Sequence, residues 1–220
     1  MADNRNKAAT MDADFWHKKW ASGQIGFHLP SVNPLLERHF SALALPAGGR
    51  IFLPLCGKTR DIAWLLSRGY RLAGAELSAT AVTELFAELG IAPQISPVGA
   101  GQRYSGEGID IFVGDIFSLN SETLGQVDAI YDRAALVALP EAMRQRYAAH
   151  LIALTAAAPI LVLRYEYDQS LAAGPPFSVS EAELQKLYGS TYQLSTLESL
   201  DVEGGLKGKC PARESVCLAK

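Results

Sequence analysis

Short apolar runs alternate with segments of helical period along most of this chain, and that alternation restricts the possible folds more than any other feature. Residues 50–56 (RIFLPLC) form an apolar run opening into Gly57, and the next segment sets Ile62, Ala63, Leu65 and Leu66 on one helical face before Gly69. Residues 72–77 begin the unit again, followed by a helix marked by Val82, Leu85, Phe86 and Leu89, with Ser78 as its cap and Gly90 as its stop. Residues 109–113 and 129–131 supply two more runs, then a helix that starts near Pro140 and carries Met143, Tyr147, Leu151 and Leu154 in a stripe. Residues 159–165 give a fifth run, Ser180 with Glu183 reads as a capping box, and 195–202 and 214–218 are late β-like runs. This order predicts an α/β fold with a mostly parallel sheet, helices on both faces and an antiparallel C-terminal edge. Ligands belong at the carboxyl ends of its strands, near the topological switch.

At 220 residues and 49% apolar, the chain is long enough for one domain that buries roughly 70% of its unfolded surface. We read residues 1–220 as a single domain: a loose arm over 1–12, an N-terminal cover over 13–49, and a core sheet with C-terminal decoration over 50–220. A net charge of −3 with no cluster of Lys and Arg lacks the electrostatic footprint of a nucleic-acid binder. Without a signal-like apolar core or a run of membrane-spanning length, the expectation is a cytoplasmic protein, and a monomer. Cys56, Cys210 and Cys217 lack CxxC spacing and read as reduced, packed thiols. His17, His28 and His39 recur regularly, but Pro30 and Pro34 break any helix that would stack them and no partner has ligand spacing, so no metal is expected.

The first βα turn, PLCGKTRD, has Gly57 as its single glycine, placed where backbone can approach a ligand. A dinucleotide site would favour three glycines, which weighs against a nicotinamide oxidoreductase. Glu76 ends the second run about 20 residues beyond, the spacing at which a carboxylate accepts ribose hydroxyls; together the two point to an adenosine-type cofactor, against the plainer reading of a surface-turn Glu. Asp115 and Ile116 follow the third run, where Asp115 or its backbone can meet an adenine edge while Ile116 or Leu55 packs on the ring face. Arg133 follows the fourth run and points into the expected crevice, unless it simply pairs with Asp132, which would otherwise orient it. Lys58 and Arg60 read as a solvated helical turn, with a lesser reading in which Lys58 meets a cofactor carboxylate.

Phe15-Trp16-His17-Lys18-Lys19-Trp20, Gly26-Phe27-His28, Asn33-Pro34, Pro54-Leu55-Cys56-Gly57-Lys58, Glu76, Tyr131-Asp132-Arg133-Ala134-Ala135 and Gly174-Pro175-Pro176-Phe177 together resemble the thiopurine S-methyltransferases, over nearly all of the chain past Met11. The resemblance implies a class I methyltransferase fold with a helical N-terminal cover, S-adenosylmethionine as cofactor, and in-line methyl transfer to the sulfur of small aromatic or heteroaromatic thiols, giving S-adenosylhomocysteine. Carried over by residue, Trp20, Leu55, Glu76 and Arg133 bind the cofactor, beside the Gly57 already read from the turn, Trp16, Asp115 and Ile116 form a wider shell, and Phe27 lies near the acceptor. Arg133 would also hold the anionic sulfur, and the aromatic trio Trp16, Trp20 and Phe27 could close over a sulfonium. The chain departs from the mammalian pattern at residues 203–209, where no second acceptor-side arginine aligns, leaving Lys207, Lys209 or Arg213 to serve. Detoxification is the implied context. Selenium or tellurium acceptors, and a non-catalytic cofactor binder, are the competing readings.

Overall fold

The computed structural model describes residues 13–26 and 28–220, so the proposed arm, Met11 and Phe27 lie outside the described residues. Nine strands form one sheet: β1 (Arg50–Leu53), β2 (Arg71–Glu76), β3 (Gln94–Val98), β4 (Gly101–Gly106), β5 (Ile109–Val113), β6 (Ala129–Asp132), β7 (Ile160–Tyr167), β8 (Leu194–Asp201) and β9 (Ala212–Ala219). The helices are α1 (Ala13–Ala21), α2 (Pro34–His39), α3 (Arg60–Ser67), α4 (Ala79–Leu89), α5 (Ser121–Leu124), α6 (Glu141–Leu154) and α7 (Glu181–Tyr188). The strand order is β3-β4-β5-β2-β1-β6-β7-β9-β8, with β5, β2, β1, β6 and β7 mutually parallel. From β1 the chain moves toward β2 on one flank and returns to β6 on the other, so the switch crevice opens between β1 and β6.

Central strands covered on both faces must be apolar at successive positions, which is why 50–53 and 129–131 read as unbroken runs. Phe52 and Ile130 face α5, α6 and α7, packing with Leu124, Tyr147, Leu151 and Leu184. Ile51, Leu53 and Ala129 face α2, α3 and α4, packing with Leu35, Leu36, Ile62, Leu65, Val82 and Leu85. Each such fully buried aliphatic side chain stabilises the fold by about 1.5–3 kcal/mol. Ser78 caps α4 by accepting the Ala81 N–H at 3.3 Å, and Gly90, at φ +69°, ends it in the left-handed conformation, both as the spacing predicts.

Two local expectations need correction. Ser180 does accept the Glu183 N–H at 3.1 Å, but the Glu183 carboxylate turns to Arg144 at 2.6 Å instead of reaching back to complete a capping box. Arg144 is only 3% exposed, and a buried guanidinium demands a counter-charge more strongly than an N-terminal amide demands a cap. The hairpin of β3 and β4 was not anticipated: its first strand is largely exposed and carries Pro97, so it offers no alternating apolar pattern and is an edge strand. Both flanks of the sheet are therefore antiparallel, not the C-terminal one alone.

A buried polar lock joins the N-terminal segment to the sheet. Asp61 of α3 accepts the Asn33 N–H at 2.7 Å and the Tyr131 hydroxyl at 3.0 Å, while the Asn33 side chain caps α2 through the Leu35 N–H at 2.8 Å. Asp61→Ala strands a buried hydroxyl and a buried amide, so urea denaturation should show a loss of about 3 kcal/mol. A loss below about 1 kcal/mol would mean that the lock is dispensable.

Candidate functional site

The turn after β1 and the turn after β2 are built as one unit. Leu55 and Gly57 adopt positive φ, +46° and +53°, and Cys56 donates its N–H to the Ala75 carbonyl at 3.0 Å. Such a conformation at a bulky, non-glycine residue is costly and persists where surrounding bonds enforce it. Glu76 supplies that enforcement: Oε2 accepts the Gly57 N–H and Oε1 the Ser78 N–H, each at 2.8 Å. The carboxylate is 6% exposed, and burial raises its pKa against the opposing pull of the Ser78, Gly57 and Leu77 amides and of His17. It is not a surface-turn residue. A carboxylate offers about four lone-pair sites, so beyond its backbone donors Glu76 keeps capacity to accept from a ligand hydroxyl.

A cleft of about 1050 Å³ opens at the carboxyl ends of the central strands, and Trp16, Trp20, Leu55, Gly57, Glu76, Asp115, Ile116 and Arg133 all line it. Trp20 of α1 is buried against the turn: a Cβ on Gly57 would stand 2.9 Å from its Cζ2 atom. The close approach for which Gly57 is required is thus made by the covering helix. Trp16 is half-buried and meets Phe15 edge-on at 5.2 Å. Asp115 uses its carboxylate to cap the short 3-10 turn Ile116–Ser118, accepting the Phe117 N–H at 3.0 Å, while Ile116 is buried beside it.

Asp132 does not pair with Arg133; it fixes the turn from which Arg133 projects. Asp132 is fully buried and accepts the Leu136 N–H at 3.0 Å and the Tyr147 hydroxyl at 2.8 Å. With Ala134 at φ +62°, this holds the chain as it leaves β6 and turns Arg133 into the cleft. Among the described residues the Arg133 guanidinium has no hydrogen-bond or ion-pair partner. Lys58 is neither solvated nor free for a cofactor, since Glu84 and Glu88 of α4 each hold it at 2.8 Å.

On the opposite side of the cleft stand residues that sequence reasoning missed. Tyr165 of β7 and Glu214 of β9 are register partners, and the Tyr165 hydroxyl donates to Glu214 Oε1 at 3.0 Å. Both lie inside runs that read as strands, but only the register of an antiparallel pair reveals that their side chains meet. Lys207 lines the cleft and donates to the Pro175 carbonyl, whereas Arg213 pairs with Asp201 at 3.7 Å and, like Lys209, lines a separate surface depression. Of the three cations left open for the acceptor side, Lys207 is the one present there. His28 also lines the cleft, its pKa lowered by burial and by Lys58. Among the described residues no group of three or more His, Cys, Asp and Glu could hold a metal ion.

A family model described as Thiopurine S-methyltransferase (TPMT) matches residues 11–212. Proteins named thiopurine S-methyltransferase from Xanthobacter autotrophicus and Gluconobacter oxydans are 57% and 52% identical to the chain, covering 94% of it in each case and 98% and 94% of the relatives. Among solved structures, the fold is similar to Burkholderia thailandensis 1,6-didemethyltoxoflavin-N1-methyltransferase, determined with S-adenosylhomocysteine, at a TM-score of 0.65 and 16% identity over 100% of this chain and 92% of that one. It is also similar to magnesium protoporphyrin IX methyltransferase from Synechocystis, at a TM-score of 0.60 and 14% identity over 95% of this chain and 100% of that one.

Burial lifts the Asp132 carboxyl to about 6, despite the Leu136 amide, the Tyr147 hydroxyl and the Ala135 amide, which favour its anion. Between pH of about 4 and 6 the folded state therefore binds more protons here than the unfolded chain does. The group's contribution to stability is greatest below pH of about 4 and falls by roughly 3 kcal/mol as pH rises through about 6. Unfolding free energies measured across that window should fall for the parent relative to Asp132→Asn; a constant difference would contradict the assignment.

Proposed function

The chain belongs to the thiopurine S-methyltransferase family, and from that premise we propose that it transfers a methyl group from S-adenosylmethionine to the sulfur of small aromatic or heteroaromatic thiols such as thiopurines. The observation that carries this reading is one cleft holding both a backbone-anchored buried carboxylate, Glu76, and a guanidinium, Arg133, that has no hydrogen-bond or ion-pair partner among the described residues. When bound, the cofactor supplies an electrophilic methyl group on a sulfonium.

The residues present fit that cofactor. Glu76 accepts the ribose hydroxyls with its remaining lone pairs, Leu55 and Ile116 pack against the adenine, Gly57 donates its N–H to Glu76 and lets Trp20 close on the turn, and Asp115 fixes the turn that meets the adenine edge. Trp16 and Trp20 offer π faces to a cation, worth about 1–2 kcal/mol when desolvated. Arg133 holds the acceptor sulfur as its negative charge develops, favouring the thiolate over the thiol. Phe27, outside the described residues, is assigned to the acceptor side. Alignment of nucleophile and methyl in a dry cleft supplies on the order of 7–11 kcal/mol. Residues 1–220 work in this reading as a single-domain cytoplasmic monomer that detoxifies small thiols; the buried, free state of all three cysteines supports a reducing setting.

Incubation with methyl-labelled S-adenosylmethionine and a panel of thiols, selenols and tellurite tests the reading. Labelled thioethers are the expected product, and tight cofactor binding without turnover on any thiol would overturn it. Glu76→Ala should weaken S-adenosylhomocysteine binding about 10–100-fold by calorimetry, the loss of hydrogen bonds to a charged group. Arg133→Ala should lower kcat/KM for thiols about 100-fold and move the acidic limb of its pH profile upward.

A further inference from the structure

The S-methylation reading leaves Glu214 without a task. Its Oε1 atom is taken by the Tyr165 hydroxyl, and Oε2 has no hydrogen-bond or ion-pair partner among the described residues. Arg133 lines the same cleft and does not pair with it. A half-buried cation and a half-buried anion therefore face one cavity without pairing with each other, and each keeps hydrogen-bonding capacity for a ligand. A ligand that uses both presents a hydrogen-bond acceptor to Arg133 and a donor to Glu214. A heteroaromatic thione has that polarity, with its C=S sulfur beside a ring N–H.

Resting on the S-methylation reading, we infer that Glu214 is a catalytic residue that accepts the ring N–H proton of a heteroaromatic thione as its sulfur is methylated, with Tyr165 as its positioning residue. The N–H electron pair forms a C=N bond, the C=S π pair moves to sulfur, and sulfur forms the new bond to the methyl carbon. The methyl–sulfonium bond breaks with its electron pair remaining on the cofactor sulfur. The sulfonium becomes a neutral thioether and the Glu214 carboxylate becomes a neutral acid, which returns its proton to solvent. Charge is thus annihilated at both ends of the transfer, inside a cleft where separated charge is costly.

The groups around Glu214 suit this role. Burial and Glu214 itself push the Tyr165 phenol above its ordinary value, so it remains a donor to the carboxylate throughout the working range. Tyr131 on β6 donates to Asp61 of α3 and is likewise raised. Lys207, on the loop before β9, is bonded to Pro175, and β8 sets the apolar Leu200 opposite Glu214 in the register. Arg133 is the cation that acts on both Tyr165 and Tyr131.

Two acceptor classes separate this assignment from the reading beneath it: a cyclic thioamide with N–H beside C=S, such as 2-thiopyridone, and an aryl thiol with no ring N–H, such as thiophenol. For Glu214→Gln, kcat/KM on the thione should fall about 100-fold at neutral pH, within the usual scale of general base catalysis, while the aryl thiol stays within about twofold. S-adenosylhomocysteine affinity should be unchanged. The loss on the thione should shrink as pH rises through that acceptor's own ionisation, because solvent then removes the proton. Tyr165→Phe and Glu214→Asp should lower the thione-to-thiol ratio by a smaller factor, and they carry the comparison if Glu214→Gln binds no S-adenosylhomocysteine. Equal losses on both acceptors, an unchanged ratio, or no alkaline recovery would overturn the role of Glu214. A parent enzyme that methylates neither class would overturn the S-methylation reading and this assignment with it.

Discussion

Two hydrogen bonds to one buried carboxylate hold the site together. Glu76 ends β2, yet it fixes the turn after β1 through the Gly57 amide and the start of α4 through the Ser78 amide. Without it, two buried N–H groups would be stranded and the positive-φ backbone at Leu55 and Gly57 would lose its restraint. The same turn receives Trp20, so the placement of the N-terminal cover also depends on it. The residue proposed to accept the ribose hydroxyls thus also builds the surface around them.

Charge is distributed unevenly across the cleft, and the distribution divides its labour. On the β1–β2 side, Lys58 is bound to Glu84 and Glu88 and Asp115 caps a turn, so local charges are largely satisfied within the protein. On the β6–β7–β9 side, Arg133 and the second oxygen of Glu214 have no hydrogen-bond or ion-pair partner among the described residues. Asp132 sits between the two regions, buried and bonded to Tyr147, and keeps its charge out of the cleft. The β1–β2 side is preorganised by the fold itself, whereas the β6–β7–β9 side holds polarity in reserve.

Legibility from sequence followed the range of the interactions involved. The βα units, the α4 cap and stop, Gly57, Glu76 and Arg133 were readable because each depends on a local period or on the end of a strand. The β3–β4 hairpin was not, since its exposed polar residues carry no period. Nor were the partners of Asp132, Glu183 and Lys58, because a carboxylate or an ammonium pairs with whatever tertiary packing brings near. Tyr165 and Glu214 show the limit most clearly. Both strands were anticipated, but a shift of the β7–β9 register by one residue would send the two side chains to opposite faces, and only packing of the whole sheet sets that register.

The walls of the cleft come from distant parts of the chain: Trp16 and Trp20 near one end, Lys207 and Glu214 near the other, with Lys207 fastened to Pro175. A ribosome releases these segments in order, so a nascent chain can assemble the β1–β2 platform while the opposite wall is still in the exit tunnel. The turn anchored by Glu76 can thus form before the wall that carries Tyr165 and Glu214. Until β9 docks beside β7, a partly synthesised chain that already carries Glu76 and Arg133 still lacks Lys207 and Glu214, and its cleft stays open on that side.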